Sequence, residues 1–381
     1  MSEAGAVGGD CMLESNITFA SRAPHFHAAF HSGVCLHGHT MHSQECLSFL
    51  PRYLHHVPGI SQIVGYYERA PRRVDFERAW WTPPLTPASA LNLEREQIAA
   101  LGLNPMVSLT DHDDIEAGLT LGVTADPCET PVSVEWTVPY EHSIFHIGVH
   151  NIPRHASREW MQAMAEYTAA PREAALPVIL DEFSRVPDVL IVLNHPFWLE
   201  EGVTDDVHQQ ALPALLRECL GWLDAFELNG TRRWHENAAT IELARTWERP
   251  VISGGDRHAC EPSACINLTN ARTFAGFVSE IHAGRSSILF MPHYHEPMAQ
   301  RILEASRDIL RTYPEFPGRE RWADRIFYRG EDGVARTLAQ VCGGREPRFL
   351  SGAASLVQWV AGNRFRPALR LFLAERGELH P

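Results

Sequence analysis

Along this chain, short apolar runs repeatedly end in histidine or a carboxylate, and amphipathic stretches separate them. The first run, Gly33-Val34-Cys35-Leu36, leads straight into His37-Gly38-His39-Thr40. Four more share the layout: Val107 to His112, Val132 to Glu135, Leu190 to His195 and Val251 to His258. Residues spaced i, i+2 on a strand share one face, so His37 and His39 can grip the same ion at a strand end.

Regular alternation starts at Thr86-Pro87-Ala88, an N-cap followed by proline at the first helical position. It predicts a helix to Leu101, stopped by Gly102 before a strand from Pro105 to Leu109. A helix start over Ile115 to Gly122 follows, then strands over Thr130 to Val138 and Ile144 to Asn151 and a helix over Glu159 to Ala170. Beyond these come a buried strand from Asp188 to Asn194, a helix from Leu212 to Leu223 and a strand from Ala225 to Asn229. A helix from Asn237 to Trp247, a strand from Pro250 to Gly254, a helix from Phe274 to His282 and a strand from Ser287 to Met291 complete the series. Strands alternating with helices at this pitch argue for an α/β fold with a parallel sheet covered on both faces, and the number of units favours a closed (β/α) barrel over residues 31–292.

Three segments lie outside that alternation. Residues 1–30 form an N-terminal segment whose first 16 residues are Gly-rich and predict disorder, and His25, His27 and His31 read as ordinary histidines. Residues 46–84 are aromatic and proline-rich, with Tyr66-Tyr67, Arg72-Arg73 and Trp80-Trp81. They read either as an insertion or lid over the site or as aromatics packed on the outside of the barrel. From Pro297 the pattern turns helical, clearest over Met298 to Tyr313 and Ala353 to Val360, so residues 293–381 read as a C-terminal helical extension.

Composition narrows the function classes. The 381 residues, 45% of them hydrophobic, suffice for a barrel of roughly 250 residues plus additions. The start lacks a basic stretch and an apolar core, and no run of about 18 apolar residues occurs, which predicts a cytoplasmic protein without a membrane partner. Eight scattered cysteines without a Cys-x-x-Cys pair read as reduced thiols. All 33 basic residues are arginine, which excludes a Schiff-base lysine, a P-loop lysine and a carbamylated lysine bridging two metals. Net charge is -14, and it is uneven: residues 287–381 carry 14 Arg against 11 acids, the rest 19 against 36. Such an acidic body argues against a duplex DNA partner and suits a site that concentrates cations.

Barrels of this class place their active sites at strand C-termini. The candidate ligands there are His37 and His39, Asp111 and His112, Glu135, His146, His195, and Asp256 with His258. A lone histidine is more often a hydrogen-bonded core residue, but that account cannot cover so many at strand ends. Imidazoles and carboxylates in this number suit Zn, Mn or Fe, and a glutamate between two ions can bridge them.

These residues resemble the motifs of the PHP (polymerase and histidinol phosphatase) metal-dependent phosphoesterases. Leu36-His37-Gly38-His39-Thr40 is similar to the first motif and Leu109-Thr110-Asp111-His112-Asp113 to the second. Glu135 with His146-Ile147-Gly148-Val149, then Asn194-His195-Pro196, then Gly254-Gly255-Asp256-Arg257-His258 look like the rest, in order. Phe226-Glu227-Leu228-Asn229 and Asn237 sit where members carry an acidic strand and an Asn-bearing helix. The Glu-to-His spacing is similar to the branch of nucleoside 3',5'-bisphosphate phosphatases and RNA 5'-end trimming enzymes. The resemblance implies a distorted seven-stranded (β/α) barrel holding two or three divalent ions (Zn, Mn or Fe). By its pattern His37, His39, Glu135 and Asp256 hold one ion and Glu135, His146 and His195 a second. His112 and His258 hold a third with one further ligand, and Glu135, Asp256 and His195 are expected to carry catalysis. Cys35 replaces the usual Asp before Leu-His, and Ser43-Gln44-Glu45 replaces Ser-Asp-Gly. Either Glu45 supplies the missing ligand or the third ion is held weakly.

Ions in such a cluster acidify a water, which becomes the nucleophile, and neutralise the phosphate oxygens of the transition state. Without lysine, phosphate clamping falls to arginine: Arg232 and Arg233, then Arg257, then Arg72 and Arg73. The expected substrate is a small phosphorylated metabolite, a nucleotide or a short oligonucleotide. Two other readings compete. One is an amidohydrolase-type metal barrel, weakened by the missing bridging lysine; the other is a binding or regulatory module that has lost turnover. The sequence does not specify the oligomeric state.

Overall fold

The computed structural model describes residues 14–47, 78–124, 130–200 and 202–362. In chain order its strands are β1 (Glu14–Phe19), β2 (Ser32–Cys35), β3 (Glu45–Cys46), β4 (Ala79–Trp81), β5 (Asn104–Val107), β6 (Val134–Tyr140) and β7 (Ser143–His150). They continue with β8 (Leu190–Asn194), β9 (Ala225–Asn229), β10 (Val251–Gly254), β11 (Cys265–Thr269), β12 (Arg285–Phe290), β13 (Ile326–Arg329) and β14 (Ala335–Thr337). Two five-stranded sheets, in the orders β1-β12-β11-β2-β5 and β10-β9-β8-β7-β6, form the body, and a four-stranded sheet, β14-β13-β4-β3, stands apart.

Local chemistry explains the elements. Thr86 caps α1 (Pro87–Ala100) by accepting from the Ser89 amide, with Pro87 where a missing N–H costs nothing. The helices α2 (Glu116–Thr124), α3 (Ser157–Ala169) and α4 (Leu176–Ser184) follow, and Thr204 caps α5 (Asp205–Cys219), whose first turn carries Asp205 and Asp206 against the helix dipole. Further on lie α6 (Trp234–Thr246), α7 (Phe274–His282), α8 (Met298–Leu310), α9 (Leu338–Val341) and α10 (Arg348–Val360). Every residue of β8 and β9 is buried, and the largest apolar cluster packs β6 to β9 against α3, α4 and α5 through Trp136, Trp160, Phe183 and Leu215.

The mixed α/β character agrees with the sequence reading, but the parallel, closed barrel does not. β7 runs antiparallel to β6 and β8, because a two-residue turn at Glu141 and His142 (φ 43° and 65°) folds β6 directly back on β7. β11 follows β10 with no helix between and lies antiparallel between β12 and β2. The two large sheets do not join into one ladder: the Asn267 side chain sits between them, accepting from the Ser253 amide (2.8 Å) and donating to the Ser253 (2.9 Å) and Val34 (3.3 Å) carbonyls. Their buried faces pack together through Val34, Leu36 and Met106 on one side and Val192, Ala225 and Ile252 on the other, and isolated bridges join Gly38 to Arg257 and His112 to Glu135.

Other expectations also shift. Residues 14–16 belong to β1 rather than to a disordered start, while the reading of residues 1–13 lies outside the described residues. The C-terminal extension is not wholly helical, since β13 pairs with β4 and with β14. The segment 46–84 contributes β4, whereas Tyr66, Tyr67, Arg72 and Arg73 lie outside the described residues. Among those described, Cys35, Cys219, Cys260 and Cys265 are free thiols. No described helix is long and apolar enough to cross a membrane.

Candidate metal centre

The expected ligands meet where the isolated bridges join the two sheets. Gly255 and Asp256 donate their amides to the carbonyls of Leu36 (2.9 Å) and His37 (2.7 Å), and His39 donates to Arg257 (2.9 Å). The Glu135 amide reaches the Asp111 carbonyl at 3.2 Å. These bonds fix the loops after β2, β5 and β10 against the start of β6, and they bend the chain sharply. His37 (φ 63°), His195 (φ 26°) and Asp256 (φ 47°) all occupy the left-handed region, which costs about 1–3 kcal/mol for a non-glycine residue and is found chiefly at functional sites.

Nine side chains fall into four overlapping groups whose ligand atoms lie within 4.8 Å of one another. The groups are His37, His39 and Asp256; His37, Glu135 and His195; His112, Glu135 and His146; and His39, Glu45, His112 and His258. Glu135 is fully buried at their centre. Its Oε2 faces His37 Nε2 (2.8 Å), His39 Nε2 (3.3 Å) and His112 Nδ1 (3.5 Å). Its Oε1 faces His195 Nε2 (3.1 Å) and His146 Nδ1 (3.4 Å) and accepts from Asn194 Nδ2 at 3.1 Å.

His37 and His195 hydrogen-bond Glu135 directly, whereas the spacings of His39 and His146 fit metal ligation better. Two ligands held tetrahedrally at about 2.1 Å from one zinc ion lie roughly 3.4 Å apart. His39 Nε2 stands 3.3 Å from Glu135 and 3.4 Å from Asp256 Oδ1, yet it makes no hydrogen bond, and neither does His146 Nδ1. Both are buried nitrogens aimed at carboxylate oxygens.

The surrounding bonds set the imidazole tautomers that a metal needs. His37 Nδ1 donates to Glu227 Oε2 at 2.6 Å, which turns Nε2 toward Glu135 and Asp256. Ser43 donates to Glu45 Oε1 (2.6 Å), so its oxygen accepts from the His112 amide (3.2 Å) and from His39 Nδ1 (3.3 Å), which makes Nε2 the nitrogen of the neutral His39 ring that is open to a metal. His208 Nε2 donates to the Pro196 carbonyl (2.7 Å) while Nδ1 accepts from Ser143 (2.8 Å), pinning the turn that carries His195. Gly254 must be glycine, because a Cβ there would collide with the Glu227 carboxylate.

The charges are mutually dependent. Burial opposes ionisation throughout, but the imidazoles around them hold Glu135 and Glu45 well below the usual carboxylate range, and Arg232 and the imidazoles do so for Asp256. Against the same burial, Asp256, Glu135 and Glu45 raise His39 to about 10, and Glu135, Glu227 and Asp256 raise His37 well above the ordinary value. Without a cation, protons on those rings balance the carboxylates; such a donor set is suited to divalent ions.

Not every expected residue joins the cluster. Asp111 belongs to none of the four groups: its oxygens accept from the Thr40 amide and hydroxyl (2.7 Å to the latter), so it anchors the loop carrying His39. Arg257 is buried, bonded to Glu94 (2.9 Å) and to the Ala259 carbonyl (2.8 Å). Arg233 is exposed at the N-cap of α6. Arg232 does reach the site, donating to Asp256 Oδ2 at 2.9 Å with its guanidinium 3.8 Å above the Trp198 ring. Gln44 is exposed, while the buried Glu45 faces His258 Nε2 (3.2 Å) and His112 Nε2 (3.6 Å).

The sequence reading gave no role to Glu200, 3.6 Å from His146 Nε2 and bonded to Trp198 Nε1 at 3.1 Å, or to Ser43 and His208. It noted Glu227 only by position, although a carboxylate inside the wholly buried strand Ala225–Asn229 was a usable signal.

No protein-family model and no curated protein matches the chain. Three solved structures, each 15% identical, show distant likeness. PsfC from Pseudomonas syringae PB-5123 aligns over 69% of this chain and 93% of its own, with a TM-score of 0.39. A candidate metal-dependent phosphoesterase from Bifidobacterium adolescentis covers 53% and 92% (TM-score 0.33). An amidohydrolase from Chromobacterium violaceum, with sulfate and no metal bound, covers 47% and 84% (TM-score 0.29). At these scores the chemistry rests on the site's own geometry.

Proposed function

We propose that this protein is a metal-dependent phosphoesterase that hydrolyses small phosphorylated metabolites, nucleotides or short oligonucleotides. The observation that carries the reading is Glu135, a buried carboxylate whose two oxygens face two different histidine sets. In this reading Glu135 bridges two ions. His37, His39 and Asp256 complete one, His146 and His195 the other, and Glu45, His112 and His258 form a third, more exposed position. Divalent ions held there supply a water acidified toward neutral pH and positive charge facing the phosphoryl oxygens.

The chain's own residues do the rest. Glu227 and Ser43 keep the unprotonated nitrogens of His37 and His39 facing inward. Arg232, fixed between Asp256 and Trp198 but partly open to solvent, offers its remaining N–H groups to a phosphoryl oxygen. With no lysine in the chain, that partly exposed guanidinium is the cation best placed for the task. The acidic body admits a compact phosphate ester more readily than a long polyanion.

Protein loaded with Zn or Mn and dialysed should release phosphate from an aryl phosphate, and chelation should abolish the activity. Cleavage of the matching aryl amide but not the phosphate would favour an amidohydrolase. Bound ions with cleavage of neither would favour a binding module.

A further inference from the structure

The third ligand group is assembled differently from the others. His39, His112 and His258 stand at the ends of strands in the two large sheets, whereas Glu45 lies on β3, in the separate small sheet. β3 has two residues, far too few to hold a ligand in place alone. Glu45 is paired in register with Trp81 of β4, and Trp81 with Ile326 of β13. The carboxylate is therefore carried on a platform whose outer half comes from the C-terminal segment.

One side chain ties that platform to the loop bearing the ligands. Arg319 donates through Nη1 to the Met41 carbonyl (2.8 Å) and through Nη2 to Thr82 Oγ1 (2.9 Å), and its guanidinium lies 5.6 Å from the Phe327 ring centroid of β13. Met41 lies between His39 and Glu45, and Thr82 directly follows Trp81. The Thr82 amide in turn donates to the Arg325 carbonyl at 3.0 Å, and Arg325 Nη1 donates back to the Arg319 carbonyl at 2.8 Å. A planar fork with two donors can hold two strands at one spacing, which a single-point donor cannot. A metal ligand needs its oxygen placed to within about 0.5 Å, so this spacing matters.

We infer that Arg319 is a positioning residue for Glu45, and that the third ion binds only when the C-terminal segment is docked. The inference rests on the metal-cluster reading above but not on phosphate chemistry. It predicts that the two ions around Glu135 are indifferent to Arg319.

The test is zinc titration of the full chain against a chromophoric chelator, in wild type, Arg319→Met, Arg319→Lys, Glu45→Gln and the double variant Arg319→Met/Glu45→Gln. Methionine keeps an apolar stem on Phe327 but removes both donors. Affinity for the third zinc should fall at least about tenfold in Arg319→Met and less in Arg319→Lys, which can reach one acceptor. The first two ions should bind as in wild type. Because Arg319 acts through Glu45, the double variant should be no worse than Glu45→Gln alone. Wild-type affinity for the third ion in Arg319→Met, additive losses in the double variant, or a wild-type chain that never takes a third zinc would overturn the inference. If Arg319→Met does not fold, Arg319→Lys decides the question by the same titration. A chain that binds three ions as described yet releases no phosphate would overturn the proposed activity and leave this inference standing.

Discussion

Glu227→Gln removes a charge from the far side of His37 without touching the face turned toward the ions. Glu227 is 1% exposed; Oε2 takes the His37 Nδ1 proton at 2.6 Å and Oε1 takes a proton from Asn229 Nδ2, also at 2.6 Å. Glutamine offers one oxygen and one NH2, so in either orientation a donor faces a donor and one bond is lost. A hydrogen bond to a charged group contributes about 1.5–3 kcal/mol net. The orienting partner of a metal-bound histidine is worth roughly 10–100-fold in affinity, or about 1.4–2.7 kcal/mol. The two estimates overlap, so zinc affinity at the site using His37 should fall by some tens of fold, and saturating zinc should restore most of the activity. Chelator competition near neutral pH measures this directly, with circular dichroism confirming the fold. A folded Glu227→Gln protein with wild-type zinc affinity would refute the claim that Glu227 sets the His37 tautomer for a metal.

Glu135→Gln should abolish nearly all turnover and lower metal content, since both carboxylate oxygens face histidines; unchanged metal stoichiometry and rate would exclude bridging. His150 is 1% exposed, and burial, aided by the nearby His37, lowers its pKa from 6.5 to about 3. The unfolded chain therefore takes that proton first, and stability is lost as pH falls below the unfolded value. Metal-free His150→Asn protein should lose about 2 kcal/mol less stability between pH 7 and pH 5 than its parent in urea unfolding, and equal losses would count against this. The acidic body predicts no tight duplex binding. Sub-micromolar affinity for a long DNA duplex at physiological salt would contradict that.

Much of the candidate site was legible in the sequence because its residues follow apolar runs whose burial is nearly compulsory. β9 and α7 fall at the residues the pattern indicated, and His37, His39, Glu135, His146, His195, Asp256 and His258 meet. What stayed hidden depends on contacts distant in the chain. No periodicity reveals that Asn267 sits between the two sheets, or that the short strand after Thr40 pairs with Ala79–Trp81 and that strand in turn with one past residue 325. The same limit applies to the arginines. Arg257 looked like a phosphate clamp from its place beside Asp256, but Glu94 on α1 takes its charge. Residue 45 is the converse case: the sequence left open whether Glu45 supplies a ligand in place of Gln44, and strand alternation turns Glu45 inward.

The central claim is that ions held around Glu135 hydrolyse phosphate esters. The most direct measurement is phosphate release from an aryl phosphate as zinc or manganese is titrated into metal-free protein, plotted against ions bound per chain. The account predicts no release at zero ions, activity rising steeply between one and two as the Glu135 pair fills, and none at any loading in Glu135→Gln. Two or more ions bound per wild-type chain with no phosphate released, or release that persists without metal, would contradict it.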